Sequence, residues 1–160
     1  MPRSESAELV DALRSRGLRM SAAESCTGGM LGADITSIPG ASEVFLGSAV
    51  TYSNESKMSI LGVKGSTLMA HGAVSTETAR EMAKGSVMAY GSDVAVSITG
   101  IAGPGGGTAE KPVGTVCMAV SDGEREVAAK FVFKGDRDSV RDQSVREACK
   151  LLIDFIGGRL

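Results

Sequence analysis

The chain has 160 residues, a length that fits one domain with its own hydrophobic core and a cleft. Seventeen lysines and arginines stand against nineteen acidic residues, so the formal net charge is −2, and no general attraction to nucleic acid or to an anionic membrane is expected. The 21 glycines and the absence of tryptophan favour a tightly turned α/β domain over an aromatic recognition surface. We therefore expect a single domain over residues 1–160.

The histidine and cysteine content excludes several common catalytic centres. His71 is the only histidine, which excludes zinc sites that need two imidazoles and leaves a serine–histidine–aspartate triad one candidate base. Cys26, Cys117 and Cys149 lie far apart without a C-x-x-C motif, which indicates free thiols in a reducing compartment. Because no apolar signal core or membrane-length apolar stretch is present, we expect a soluble cytoplasmic protein.

Hydrophobic periodicity and turn residues predict alternating helices and strands. In chain order they predict a helix over 5–16, a strand over 18–23, a helix over 30–37, a strand over 44–52, a helix capped by Ser53 that ends near Leu61, a helix capped by Thr76 that ends at Tyr90, a strand over 94–99, a hairpin of strands 113–121 and 126–133, and a helix over 136–156. This order predicts a three-layer α/β/α sandwich with a mixed, mostly parallel sheet of about five strands. The strand order is left open.

The segment ESCTGG, residues 24–29, lies where a predicted strand ends and a helix begins. Free amides and the positive end of a helix dipole can hold a phosphate or a developing oxyanion, and a serine placed there can act as a nucleophile. Cys26 is a rival nucleophile, because a helix start lowers the pKa of a thiol. An N-cap with glycines for close packing explains the same residues, and position alone does not separate Ser25 from Cys26.

The segment VTYSNESK, residues 50–57, places a phenol, an amide, a carboxylate and an amine at a strand-to-helix junction. A helix start and burial both lower the pKa of a lysine, as a general base requires, so Lys57 is a candidate to deprotonate Ser25. The alternative is a solvated lysine on a polar helix start. Tyr52 is a candidate for a proton relay, although a tyrosine at a strand end is more often amphipathic packing.

Two further segments are candidate ligand sites. The glycine-rich residues 97–108 follow a buried strand and can bring backbone amides close to a phosphate or carbonyl, but their spacing matches neither a dinucleotide fingerprint nor a P-loop. Arg137 and Arg141 share a helix face and suit phosphate recognition, the alternative being an exposed face paired with Asp138 and Asp142. We interpret His71 as a turn residue at a helix end.

Six segments in sequence closely resemble the CinA C-terminal domain family, whose members include nicotinamide-mononucleotide amidohydrolases. They are AESCTGG (23–29), VTYSNESK (50–57), GAVS (72–75), TGIAGPGGGT (99–108), KPVGTV (111–116) and GDRDSVR (135–141). The resemblance covers nearly the whole chain. It implies hydrolysis of nicotinamide mononucleotide to nicotinate mononucleotide and ammonia, with Ser25 as the nucleophile, Lys57 as its base and Tyr52 assisting the proton relay.

The resemblance also implies an α/β/α fold, no metal, no cofactor and, by analogy, a homodimer. We add the hypothesis that amides near Thr27 and Gly28, or within 100–103, hold the oxyanion and that Arg137 or Arg141 binds the 5′-phosphate. The expected substrate-binding residues are Thr27, Gly28, Asn54, Thr99, Gly100, Gly103, Arg137 and Arg141. The alternative function is a non-catalytic module that binds pyridine nucleotides, and a nucleic-acid-binding factor is disfavoured by the acidic, aromatic-poor composition.

Overall fold

Helices and strands alternate along the first two thirds of the chain, and the computed structural model describes all residues from 1 to 160. The elements are α1 (Ser4–Arg16), β1 (Met20–Glu24), α2 (Met30–Thr36), a short 3-10 helix (Ala41–Glu43), β2 (Phe45–Val50), α3 (Asn54–Leu61), α4 (Gly65–His71), α5 (Thr76–Tyr90), β3 (Val94–Gly100), β4 (Thr115–Ser121), β5 (Glu126–Val132) and α6 (Arg137–Ile156).

The five strands form one mixed sheet in the order β2-β1-β3-β4-β5. β1 pairs in parallel with β2 and with β3, whereas β4 pairs antiparallel with β3 and with β5. The tight turn after Ser121 produces the antiparallel pair, since adjacent strands joined by a short hairpin must run in opposite directions. The predicted mixed sheet with a hairpin is therefore confirmed.

Helices cover both faces of the sheet because side chains alternate between the faces along each strand. Val94, Val96 and Ile98 on β3 belong to a core cluster with buried side chains of α1, α2 and α6. Between them, Ser97 points to the other face, where its hydroxyl donates to the Ala79 carbonyl of α5 over 2.6 Å. This arrangement confirms the predicted three-layer α/β/α sandwich.

None of the helices combines the length and the apolar character that crossing a membrane requires.

Several loops lie together at one end of the sheet, beyond the carboxyl ends of β1, β2 and β3. β1, β2 and β3 run in the same direction, so Ser25, Thr51 and Ile101 all follow strands that end there. β2, which follows β1 in the chain, pairs on one side of β1, and β3, which follows β2, pairs on the other side. The loops that leave β1 and β3 therefore run in opposite directions. Such a divergence opens a crevice beyond the carboxyl ends of the strands, where α/β proteins bind ligands.

Several element ends lie one or two residues from their predicted positions, and the 3-10 helix was not predicted. Three further details differ from the sequence prediction. Glu24 belongs to β1 and not to the loop, because it pairs with Val50 and Ile98 on the neighbouring strands. Ser75, not Thr76, caps α5: its backbone is extended and its hydroxyl accepts from the Thr78 amide. The body of helix α4 was not predicted, since none of its residues is buried and it has no apolar stripe, whereas the predicted helix end at His71 is confirmed.

Candidate active site

Ser25 and Lys57 meet at the carboxyl edge of the sheet. Ser25 directly follows β1, and Lys57 lies in the first turn of α3, which follows β2. The two strands are parallel neighbours, so their following residues lie side by side. Lys57 Nζ donates to Ser25 Oγ over 3.0 Å, although 32 positions separate the two residues. This is the distance at which a proton can pass between a nucleophile and its base.

Lys57 is a buried amine, with 1% of its surface exposed. Its Nζ also donates to the main-chain carbonyls of Thr51 at 2.8 Å and Tyr52 at 3.3 Å. It takes part in none of the ion pairs of the structure. Burial therefore lowers the pKa of Lys57, because the charged form loses hydration without gaining a carboxylate. The alternative of a solvated surface lysine is wrong.

The three contacts of Lys57 suit a general base. A protonated amine has three hydrogens, which match Ser25 Oγ and the carbonyls of Thr51 and Tyr52. A neutral amine has two hydrogens and one lone pair. With both hydrogens on the carbonyls, the lone pair faces the Ser25 hydroxyl. Deprotonation of Lys57 thus converts the same geometry into one that accepts the Ser25 proton.

Cys26 lies beside Ser25 but has the wrong protonation state for a nucleophile. It is 6% exposed, and burial raises the pKa of its thiol to about 11, an effect that outweighs the lowering by the nearby Arg141 and Lys57 charges. The expected lowering by a helix start is absent, because α2 begins only at Met30. The structure therefore favours Ser25 over Cys26.

A cavity of about 190 Å³ opens onto the Ser25–Lys57 pair. It is lined by Ser25, Cys26, Tyr52, Asn54, Lys57, Ala73, Val74, Thr99, Gly100, Ala102 and Arg137. Sites that enclose a whole small-molecule ligand measure roughly 300–1,000 Å³. The cavity is therefore suited to the reacting end of a ligand, while the remainder extends past the exposed Tyr52 and Asn54.

A larger groove of about 730 Å³ lies between α3 and α5, lined in part by Ile60, Arg80, Lys84 and Met88. It contains no paired nucleophile and base, so the smaller cavity is the better candidate for chemistry.

Seven of the predicted site residues line the smaller cavity, namely Ser25, Tyr52, Asn54, Lys57, Thr99, Gly100 and Arg137. Tyr52 reaches Lys57 only through its main-chain carbonyl. Its phenol is 64% exposed and lies 3.5 Å from Arg137 Nη2, so it has no contact that would relay a proton to the pair. The Thr99 hydroxyl donates to the Ala73 carbonyl over 2.9 Å and holds one wall of the cavity in place.

The other four predicted residues, Thr27, Gly28, Gly103 and Arg141, do not line the cavity. Thr27 is buried and its hydroxyl donates to Glu24, while the Gly28 amide donates to the Ser25 carbonyl. The Gly103 carbonyl accepts from Arg137. By contrast, the amides of Cys26 and Ala102, two residues that do line the cavity, donate to no main-chain carbonyl.

The two predicted phosphate-binding arginines have different surroundings. Arg141 donates to the carbonyls of Cys26 at 3.1 Å and Thr27 at 3.3 Å, which ties it to the turn after Ser25. Arg137 donates to the Gly103 carbonyl at 2.7 Å and to the Tyr52 hydroxyl at 3.5 Å, and it lines the cavity. Neither arginine pairs with Asp138 or Asp142, so the pairing in that alternative is wrong, although Arg137 is exposed as it expected.

The sequence reasoning missed two residues near the pair. Glu24 is a fully buried carboxylate at the end of β1. A charged residue that ends an otherwise uncharged strand was the signal that could have identified it. Thr51 accepts from Lys57 through its carbonyl, and its Oγ1 is the single buried side-chain polar atom without a hydrogen-bond partner.

Known proteins resemble this chain in sequence and in fold. The profile of the family described as CinA C-terminal domain matches residues 3–156. A CinA-like protein of Chloroherpeton thalassium is 52% identical over 160 residues, which cover 98% of this chain.

Among solved structures, the competence/damage inducible protein CihA from Agrobacterium tumefaciens is 38% identical, with a TM-score of 0.90 and 98% of each chain covered. A CinA superfamily protein from Klebsiella pneumoniae is 35% identical, with a TM-score of 0.93 and 96% of each chain covered.

This chain spans only 31% to 38% of the length of the most similar curated relatives.

Proposed function

Because this chain belongs to the CinA C-terminal domain family, we propose that it is an amidohydrolase that converts nicotinamide mononucleotide to nicotinate mononucleotide and ammonia. Ser25 is the nucleophile and Lys57 is its base. The observation that carries the proposal is the 3.0 Å contact between Lys57 Nζ and Ser25 Oγ. A buried lysine with a lowered pKa and no carboxylate partner supports the role of a base.

The reaction begins when neutral Lys57 takes the proton of Ser25 Oγ. The oxygen attacks the carboxamide carbon, and the negative charge that develops on the carbonyl oxygen needs hydrogen-bond donors. The amides of Cys26 and Ala102, which donate to no main-chain carbonyl and belong to residues that line the cavity, are the candidate donors. Lys57 then returns its proton to the leaving nitrogen, so ammonia departs and a seryl ester remains.

Water completes the cycle. Lys57, neutral again after ammonia leaves, takes a proton from a water molecule that attacks the ester. When the second tetrahedral intermediate collapses, Lys57 returns the proton to Ser25 Oγ and nicotinate mononucleotide is released. Each turnover consumes one water and requires no redox step.

Arg137 is suited to the phosphate of the substrate. It lines the same cavity as the pair, and a guanidinium can bind phosphate with two parallel hydrogen bonds. Arg141 is less suited, since two of its nitrogens are already bound to the carbonyls of Cys26 and Thr27. Asn54 at the cavity mouth is a further donor for the sugar or phosphate.

The test measures ammonia and nicotinate mononucleotide released from nicotinamide mononucleotide in the presence of a metal chelator. We expect turnover by the unmodified chain and by Cys26→Ala, and loss of at least about 10³-fold in Ser25→Ala and Lys57→Met. Lys64→Met, at an exposed lysine outside the cavity, is the matched control for Lys57→Met.

Binding without turnover by the folded unmodified chain, measured by calorimetry, would contradict the proposal and leave a nucleotide-binding module. Turnover that survives in Ser25→Ala but not in Cys26→Ala would reassign the nucleophile.

A further inference from the structure

Glu24, the last residue of β1, carries a carboxylate that the mechanism above does not use. The residue is 0% exposed. Its Oε1 accepts from Thr27 Oγ1 at 2.7 Å and from the Leu31 amide at 2.9 Å. Its Oε2 accepts from Ser48 Oγ at 2.7 Å and from the Gly32 amide at 3.1 Å. Four donors thus surround the carboxylate, and no lysine or arginine pairs with it.

The four donors require a carboxylate in particular. The hydroxyls of Thr27 and Ser48 can turn and accept a hydrogen bond, but the amides of Leu31 and Gly32 can only donate. Each carboxylate oxygen faces one of these amides. A glutamine would therefore point its NH₂ group at a main-chain N–H in either orientation, and a buried donor would lose its acceptor.

Glu24 is connected to both members of the Ser25–Lys57 pair. Ser25 is the next residue in the chain, and Thr27 anchors the turn that follows it. The main-chain carbonyl of Glu24 accepts from the Thr51 amide over 2.9 Å, and the Thr51 carbonyl accepts from Lys57 Nζ over 2.8 Å. Ser48 on β2 adds a side-chain link to the strand that leads to Lys57. One residue therefore connects the nucleophile turn and the strand that carries the base.

We propose that Glu24 is a positioning residue whose carboxylate sets the contact between Ser25 Oγ and Lys57 Nζ. The proposal rests on the proposed function for its effect on turnover, but its effect on the geometry of the pair does not depend on any substrate. A consequence follows for the start of α2. Glu24 already occupies the amides of Leu31 and Gly32, so this helix end does not hold the oxyanion or the phosphate.

The experiment compares the unmodified chain with Glu24→Gln, Thr27→Val and Thr27→Ser. Thr27→Val removes one of the four donors, and Thr27→Ser keeps the hydroxyl. Glu81→Gln is the matched control, because the Glu81 carboxylate likewise accepts from a main-chain amide and a threonine hydroxyl, those of Lys64 and Thr67, at the start of α4. Two properties are measured: the titration of Lys57 by ¹³C NMR of labelled lysine, and kcat and KM for nicotinamide mononucleotide.

In Glu24→Gln we expect the pKa of Lys57 to rise toward its ordinary value of 10.5, because a displaced turn admits water to the amine. We expect kcat to fall on the order of 10²-fold with little change in KM, since a shift of about 1 Å at reacting atoms has that effect. In Thr27→Val we expect a smaller rise in the pKa of Lys57 and a smaller fall in kcat. In Thr27→Ser and in Glu81→Gln we expect both quantities to equal those of the unmodified chain.

An unchanged Lys57 titration and unchanged kcat in folded Glu24→Gln would overturn the proposal. If Glu24→Gln does not fold, the pair Thr27→Val and Thr27→Ser decides: equal Lys57 titrations in the two overturn it. If the unmodified chain does not hydrolyse nicotinamide mononucleotide, the proposed function fails while the Lys57 titration still tests Glu24.

Discussion

Gly85 of α5 lies directly against the carbonyl oxygen of Leu61, the last residue of α3, so that a Cβ atom at position 85 would overlap that oxygen. The close approach brings α3 onto α5 and thereby sets the depth at which Lys57, one turn earlier on α3, is buried. A small residue that does not line the cavity thus takes part in shaping the site.

Gly85→Ala is therefore expected to destabilise the protein and to displace α3. We expect the free energy of unfolding to fall by about 1–3 kcal/mol, a typical effect of overpacking, with a loss of turnover because Lys57 moves with the helix. Thermal unfolding and the rate of ammonia release test this. Gly105→Ala is the control, since a Cβ there meets nothing within 4 Å and its φ is not positive. Equal unfolding temperatures for the two variants would contradict the expectation.

Activity should increase with pH on the acidic side of the profile. Lys57 accepts the Ser25 proton only in its neutral form, and burial places its pKa below the ordinary 10.5. The rate constant kcat/KM should therefore rise through a pKa below 10.5 and then level off. Steady-state rates measured from about pH 6 to about pH 11 test this, because that range extends past the reference pKa of lysine, about 10.4. An apparent pKa at or above 10.5 on the acidic side of the pH profile of kcat/KM would argue against Lys57 as the base.

The same pKa shift predicts how stability depends on pH. Between the lowered pKa of folded Lys57 and 10.5, the unfolded chain binds more protons than the folded chain, so the free energy of unfolding rises with pH in that window. Lys57→Met removes this contribution. The difference in unfolding free energy between the unmodified chain and Lys57→Met should therefore shift in favour of the unmodified chain as pH rises, which denaturant titrations at several pH values would measure.

Cys26 should resist alkylation while the protein is folded. Burial raises the pKa of its thiol to about 11, and the reactive form of cysteine is the thiolate. An ordinary thiol, with a pKa of about 8.5, begins to react with iodoacetamide at about pH 7–8. At this pH, iodoacetamide should label Cys26 only after unfolding. Peptide mass spectrometry provides the measurement, and rapid labelling of native protein with loss of activity would return Cys26 as a candidate nucleophile.

Substitutions of Arg137 and Arg141, both on α6, should affect different properties of the protein. Arg137→Ala is expected to raise KM by roughly 10- to 100-fold with little change in kcat, as loss of a charge-assisted hydrogen bond to phosphate implies. Arg141→Ala is expected to lower the unfolding temperature and kcat instead, because the carbonyls of Cys26 and Thr27 lose their donor. Kinetics with nicotinamide mononucleotide and thermal unfolding of both variants would show the contrast, and matching effects would contradict it.

Local patterns in the sequence are sufficient for most of the architecture. The buried strand 94–99 and the hairpin turn at Asp122 and Gly123 are read from apolar runs and turn residues, because these signals depend on near neighbours. Helix α4 is the exception. Glu81 of α5 accepts from the Lys64 amide and the Thr67 hydroxyl at the start of α4, and no local pattern contains these contacts.

The candidate site, like the fold, could be predicted from the sequence only in part. The sequence by itself places a serine after one strand and a lysine at the start of the helix after the next, which is enough to nominate Ser25 and Lys57. Only the tertiary structure decides that the lysine is buried, that Cys26 stays a thiol, that Arg137 and not Arg141 faces the cavity, and that Glu24 links both halves of the pair. The reason is physical: desolvation and hydrogen-bond partners arise from residues distant in the chain, and the pairing of β1 with β2 and β3 is what brings them together.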